Sequence, residues 1–147
     1  MWAAPEPGDI VWCRFPEKRR NQPGPKARSA LVIAVGQKEG GYFVIAAYGT
    51  SQKLDRIYLS EFAITKDQNL ESYKASGLSY DTKFDLNNFV LLPWGTDFFD
   101  VAPGPRIKKT PKLGALQGTV IASFYSAAGA AELGQKVAAA MAADNLS

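Results

Sequence analysis

The chain has 147 residues, with 17 Lys and Arg against 14 Asp and Glu, no histidine and one cysteine. Without histidine there is no Ser-His-Asp triad, no Cys-His pair and no imidazole proton shuttle, and zinc loses its usual nitrogen and sulfur ligands. Carboxylates remain able to hold Mg²⁺ or Ca²⁺, and any catalysis falls to Arg, Lys, Asp, Glu, Tyr, Ser, Thr or the backbone. From the N-terminus, Met1 to Asp9 shows no basic region followed by an apolar run, so no signal peptide is expected. Asp9 to Phe15 is rich in β-branched and aromatic residues, follows Gly8 and stops at Pro16, which predicts a strand. It contains the lone Cys13, which has no internal disulfide partner and suits a reducing cytoplasm. Pro16 to Lys26 mixes Pro16, Pro23, Gly24 and Pro25 with charges and reads as a long mobile loop. Ala30 to Val35 is a continuous apolar run that fits a buried strand, and after the Gly40-Gly41 turn Tyr42 to Tyr48 is a third.

The middle is more polar. Ile57-Tyr58-Leu59 reads as a short strand, and Ser60 to Leu78 as turns or a short helix. Thr82 to Leu86 and Phe89 to Pro93 read as a hairpin turning at Asn87-Asn88. Leu116 to Phe124 is ambiguous between strand and helix. Residues 128–143 are alanine-rich, with Leu133, Val137, Ala140 and Met141 at helical spacing, and predict one C-terminal amphipathic helix. No apolar stretch approaches the about 18 residues that span a bilayer, so no membrane partner is expected. Length, pattern and the absence of a repeat predict a single domain over 1–147 that is mainly β, with the helix appended.

The net charge of +3 conceals an uneven distribution. Arg14 to Lys38 holds seven bases and one acid, Glu17; Lys53 to Asp100 holds eight acids and five bases; Pro103 to Lys112 holds four bases and no acid. Basic loops that meet on one face attract phosphate, whereas separate ones only solvate the surface.

Three segments carry a resemblance. They are Gly8-Asp9-Ile10-Val11-Trp12-Cys13-Arg14-Phe15-Pro16, then Lys26-Ala27-Arg28-Ser29-Ala30-Leu31-Val32-Ile33, then Ala46-Ala47-Tyr48-Gly49-Thr50-Ser51. In this order and spacing they resemble the MazF/PemK toxins of bacterial toxin–antitoxin pairs. Residues 1–60 carry most of the likeness, and Pro111 to Leu116 also looks like the family's C-terminal region. The resemblance implies an SH3-like small barrel, commonly a homodimer, that cleaves single-stranded RNA without metal or other cofactor. It also implies a small antitoxin as partner. In that chemistry the RNA's 2′-hydroxyl attacks and leaves a 2′,3′-cyclic phosphate, so no protein nucleophile is needed.

By the same resemblance Arg28 stands at the active-site arginine and Thr50 at the active-site threonine, with Ser51 beside it. Lys18, Arg19, Arg20 and Lys26 fall in the loop that covers the substrate groove, where they would hold phosphates without reading sequence. Softer candidates are Trp12 and Trp94 for base stacking, Asp85 or Glu61 as general base, and Arg106, Lys108 and Lys109 as an extension of the groove. Each has a plainer reading: an ion-paired arginine, a turn threonine, core tryptophans and solvated bases. The chain departs from the family in two places. Ser29 replaces the proline after the arginine, which predicts a looser backbone there. Ser60 to Leu86 is longer and more acidic, and is expected as an insertion over the groove. Two other functions stay open: a non-catalytic barrel that binds protein or nucleic acid, and a gyrase-directed toxin of the same fold.

Overall fold

The structure, a computed structural model, describes residues 2–106 and 109–146; Lys108 lies outside them. The described chain runs β1 (Asp9–Cys13), β2 (Arg28–Lys38), β3 (Gly41–Thr50), β4 (Glu61–Ile64), α1 (Leu70–Ser76), β5 (Thr82–Pro93), β6 (Lys112–Ala115), α2 (Val120–Ala131) and α3 (Leu133–Ala143). The fold is mainly β: one six-stranded sheet in the order β4-β5-β3-β2-β1-β6, antiparallel at every pairing. The sheet is open, with β4 and β6 at its edges.

Alternation along the strands sends side chains to two cores. Ile10, Leu31, Ala47, Phe84 and Leu86 face one side and pack with Val120, Ala127, Ala131 and Leu133 of the C-terminal helices. Val11, Ala30, Val32, Val44, Ala46, Val90 and Leu92 face the other, where Trp94, Phe98 and Phe99 cover them. Both faces are therefore closed by this chain's own segments. Trp94 is a core residue: its indole N–H donates to the carbonyl of Ala3 at 3.2 Å, and its ring meets Phe99 at 4.6 Å. It is not a base-stacking platform.

Three expectations are corrected. The hairpin is instead the single strand β5, whose two arms both pair with β3. Ala47 pairs with Phe89 and Tyr48 with Asp85, so residues 86–88 form a bulge. The turn chemistry comes from Asp85, whose Oδ1 accepts the Asn87 backbone N–H at 2.9 Å. That bond satisfies the backbone of the bulge, while Leu86 stays buried and keeps the chain on course. Ile57 to Leu59 is an exposed turn closed by mutual bonds between Tyr58 and Glu61, and the strand begins only at Glu61.

The C-terminal helix is two helices, divided at Glu132 in the left-handed region (φ 52°). In an unbroken helix Ala131 and Leu133 would point to opposite sides. The break lets both enter the same core. Leu116 to Phe124 resolves into a link after β6 followed by the start of α2.

The end of α1 meets β6 backbone against backbone. A Cβ at Gly77 (φ 70°) would strike the Leu113 carbonyl, and one at Gly114 would strike the Ala75 carbonyl. This contact brings the turn after α1 to the sheet end where β2 begins and β3 ends.

Candidate active site

Tyr48 pairs with Ala30 in the β2–β3 ladder. Continued by two residues, that register sets Arg28 opposite Thr50, the first residue of β2 opposite the last of β3. Residues directly opposite on one face of a sheet are close neighbours. Both line a cleft of about 390 Å³, together with Ser51, Trp12 and Arg106. Ser29 also lines it and pairs with Trp12 in the sheet, so its backbone is held by the ladder where the family pattern uses a proline ring.

Arg28 is fixed from two sides. Its guanidinium carbon lies 5.5 Å from the centre of the Tyr48 ring, a cation–π arrangement, and its Nη2 is 3.4 Å from Glu17 Oε1. Its Nε is buried and has no hydrogen-bond partner. Thr50 Oγ1 accepts the Gln52 N–H at 3.1 Å, so the turn role expected of a plain threonine is present. The hydroxyl proton remains available to a ligand oxygen.

The far wall comes from the acidic middle segment: Gly77, Ser79, Tyr80 and Thr82 line the cleft. The segment borders the cleft, yet it keeps its carboxylates elsewhere. Glu61 pairs with the buried Lys83 at 3.1 Å, Asp81 accepts the Lys66 N–H, and Asp85 is occupied in the bulge. Among the described residues no Asp or Glu lines the cleft. Glu61 and Asp85 are thereby removed from the cleft as candidate bases.

Lys18, Arg19 and Arg20 line a second hollow of about 370 Å³ with Phe15, Glu17 and Tyr48. Since Glu17 and Tyr48 both touch Arg28, that arginine stands between the two hollows. The Pro16–Lys26 loop is tied down: Gly24 N–H donates to the Arg14 carbonyl at 3.1 Å, and Arg20 Nη1 to the Phe89 carbonyl at 2.9 Å. Lys26 is exposed and lines neither hollow, Lys109 is exposed outside both, and Lys112 pairs with Asp9 at 3.2 Å. The structure thus groups Arg28, Thr50 and Ser51, sets Lys18, Arg19 and Arg20 alongside, and leaves Lys26 apart.

Sequence reading missed Glu17 as the partner of Arg28, and Tyr80, 72% exposed, as part of the cleft. Nothing in the local sequence marks either one, since both positions depend on how loops fold back. Cys13 is buried, and burial pushes its thiol well above the ordinary range. Among the described residues, no group of three or more His, Cys, Asp or Glu is placed to hold a metal ion, and no helix is long and apolar enough to cross a membrane. In comparison with known proteins, no family model and no curated sequence matches the chain.

Proposed function

We propose that the protein is a metal-independent endoribonuclease toxin of the MazF/PemK kind, acting on single-stranded RNA. One observation carries this reading: Arg28 and Thr50 come together from two strand ends into one cleft, with Glu17 paired to Arg28 at its edge. The bulges in β2 and β5, which bend the central strands, support reading the open sheet as an SH3-like barrel. On this reading the chain works as a cytoplasmic homodimer, restrained by a small antitoxin that covers the groove.

The RNA 2′-oxygen attacks the adjacent phosphorus, the bond to the 5′-oxygen breaks and that oxygen takes a proton from water, so a 2′,3′-cyclic phosphate and a 5′-hydroxyl result. Negative charge grows on the non-bridging oxygens as the phosphorus becomes five-coordinate. Arg28, permanently charged and planar, meets those oxygens, and the Thr50 hydroxyl donates to one of them. Glu17, the carboxylate paired with Arg28, is the candidate for receiving the 2′-hydroxyl proton. Lys18, Arg19 and Arg20 hold phosphates further along the strand.

The test is incubation of purified protein with a long single-stranded RNA in EDTA, beside Arg28→Ala. Fragments ending in cyclic phosphate, reduced about 100-fold or more in the variant, are expected for loss of a transition-state charge donor. Intact RNA at high protein excess would sink the nuclease reading. A second reading is a non-catalytic barrel, gyrase-directed or otherwise, and the ion pair that already offsets the Arg28 charge favours it. Growth arrest that persists in Arg28→Ala, with RNA intact, is its signature.

A further inference from the structure

Buried polar atoms almost always find a hydrogen-bond partner, so those that do not call for a reason. Among the described residues two buried side-chain atoms have none: Arg28 Nε and Arg106 Nε. They come from opposite ends of the sequence and line the same cleft.

Arg106 belongs to no strand or helix, yet its segment is delivered to the cleft by firm contacts upstream. Cys13 bridges to Phe99, Arg14 N–H donates to the Phe98 carbonyl at 2.6 Å, and Asp100 N–H donates to the Trp12 carbonyl at 3.3 Å. The Arg14–Asp100 ion pair, at 3.5 Å, adds to them. Ala102 and Pro103 then form part of the cleft wall, with Arg106 following. Among the described residues no carboxylate lies within ion-pair distance of Arg106, and none lines the cleft. Two arginines therefore line one cleft, each with a buried Nε that no protein group satisfies.

We propose that Arg28 and Arg106 together clamp a single phosphate of a bound nucleic-acid strand. A guanidinium presents parallel donors that suit two oxygens at a time. A phosphodiester offers oxygens around a tetrahedral centre, so two forks can approach it from different walls. A carboxylate has its two oxygens in one plane, so it matches two forks from different walls less well than a tetrahedral phosphate does. Trp12 and the exposed Tyr80 in the same cleft supply flat faces for the flanking bases, which an acidic peptide would not use. Arg106 thus joins the substrate-holding residues, and the proposal rests on the nucleic-acid reading of the cleft.

The probe is a fluorescent single-stranded 2′-deoxy oligonucleotide, which lacks the attacking hydroxyl and reports binding without cleavage. Arg28→Gln, Arg106→Gln, the double variant and Arg106→Lys are compared by anisotropy, with melting curves for folding. Each single Gln variant is expected to weaken binding about 10-fold or more, as for loss of a charged phosphate contact. The double variant should lose clearly less than the product of the two, because both forks hold one group. Arg106→Lys should recover only part, since it restores charge without the fork. Binding within twofold of wild type in a folded Arg106→Gln or Arg106→Lys would overturn the proposal. Strict multiplicativity would overturn it too, since each arginine would then hold its own phosphate. A glutamate-rich peptide that binds through Arg106 where the oligonucleotide does not would overturn the phosphate assignment. RNA left intact in EDTA beside the expected oligonucleotide pattern would remove the nuclease reading and leave the clamp. RNA cut equally by wild type and Arg106→Gln would do the reverse.

Discussion

Arg28 sits in a position of tension between two partners, one present and one expected. Glu17 holds its Nη2, and a bound phosphate would compete for the same cation. Glu17→Gln therefore has opposite effects on two readouts. Oligonucleotide binding should tighten, because a competing negative charge is removed, while RNA cleavage should fall about 100- to 10,000-fold if the carboxylate takes the proton. Parallel anisotropy and cleavage assays on one preparation check this, and equal changes in both would remove Glu17 from the base role. At Thr50, Thr50→Val loses both the turn bond to Gln52 and the free proton, and should cost about 1 kcal/mol in urea unfolding in addition to activity. Thr50→Ser keeps both. At Cys13 the sign of the pH effect follows from the raised thiol. Above its ordinary value of about 9 the unfolded chain gives up the proton and the folded chain keeps it, so stability falls as the pH rises. Cys13→Ala should show a shallower decline between pH 8 and 10.5 in urea melts. Arg28 and Thr50 were legible in the sequence because each sits in a short motif beside an apolar run. Glu17 was not, because its pairing depends on the return path of a Pro-rich loop. Arg106 showed only as charge, which cannot distinguish a cleft from a solvated surface.

At the scale of elements, the strands with continuous apolar runs were legible, and their ends were not. The tails of β2 and β3 that carry Arg28 and Thr50 are held by ladder bonds rather than by strand-like composition. β5 was misread for an instructive reason. Asn-Asn reads as a turn, and Asp85 does bond the Asn87 backbone N–H there, but the apolar arms on both sides find the same partner strand and the chain does not reverse. The C-terminal break was invisible because alanine-rich sequence supports helix through the break, and Glu132 is a good helix former outside the left-handed region. That conformation costs a non-glycine residue about 1–2 kcal/mol. Glu132→Gly should therefore stabilise the protein by about 1 kcal/mol, once the added freedom of the unfolded glycine is set against the relief. A rise in the urea midpoint at unchanged slope is the expected reading.

For the whole molecule, composition and pattern sufficed for the mainly β class, while the pairing of β6 beside β1 rests on a short segment with no strand signature. The same holds for the charge: among the described residues the two basic segments approach one cleft through Arg28 and Arg106, while Lys26, Lys109 and Lys112 go elsewhere. The acidic middle contributes a buried ion pair to stability. Lys83 and Glu61 are almost wholly enclosed, and Lys83 Nζ also donates to the Arg56 carbonyl at 2.9 Å. Glu61→Gln leaves a buried ammonium uncompensated and should cost about 3–5 kcal/mol in urea unfolding. The contact between α1 and β6 has a further consequence for genetics. Gly77 and Gly114 each face backbone atoms, which no shortening of a neighbouring side chain can move aside. On the proposed toxin reading, a saturation library scored by growth arrest would tolerate glycine alone at both positions and would rank them with Arg28 as essential. Only a parallel score for folded protein would separate them: glycine variants would vanish from it, and Arg28 variants would remain.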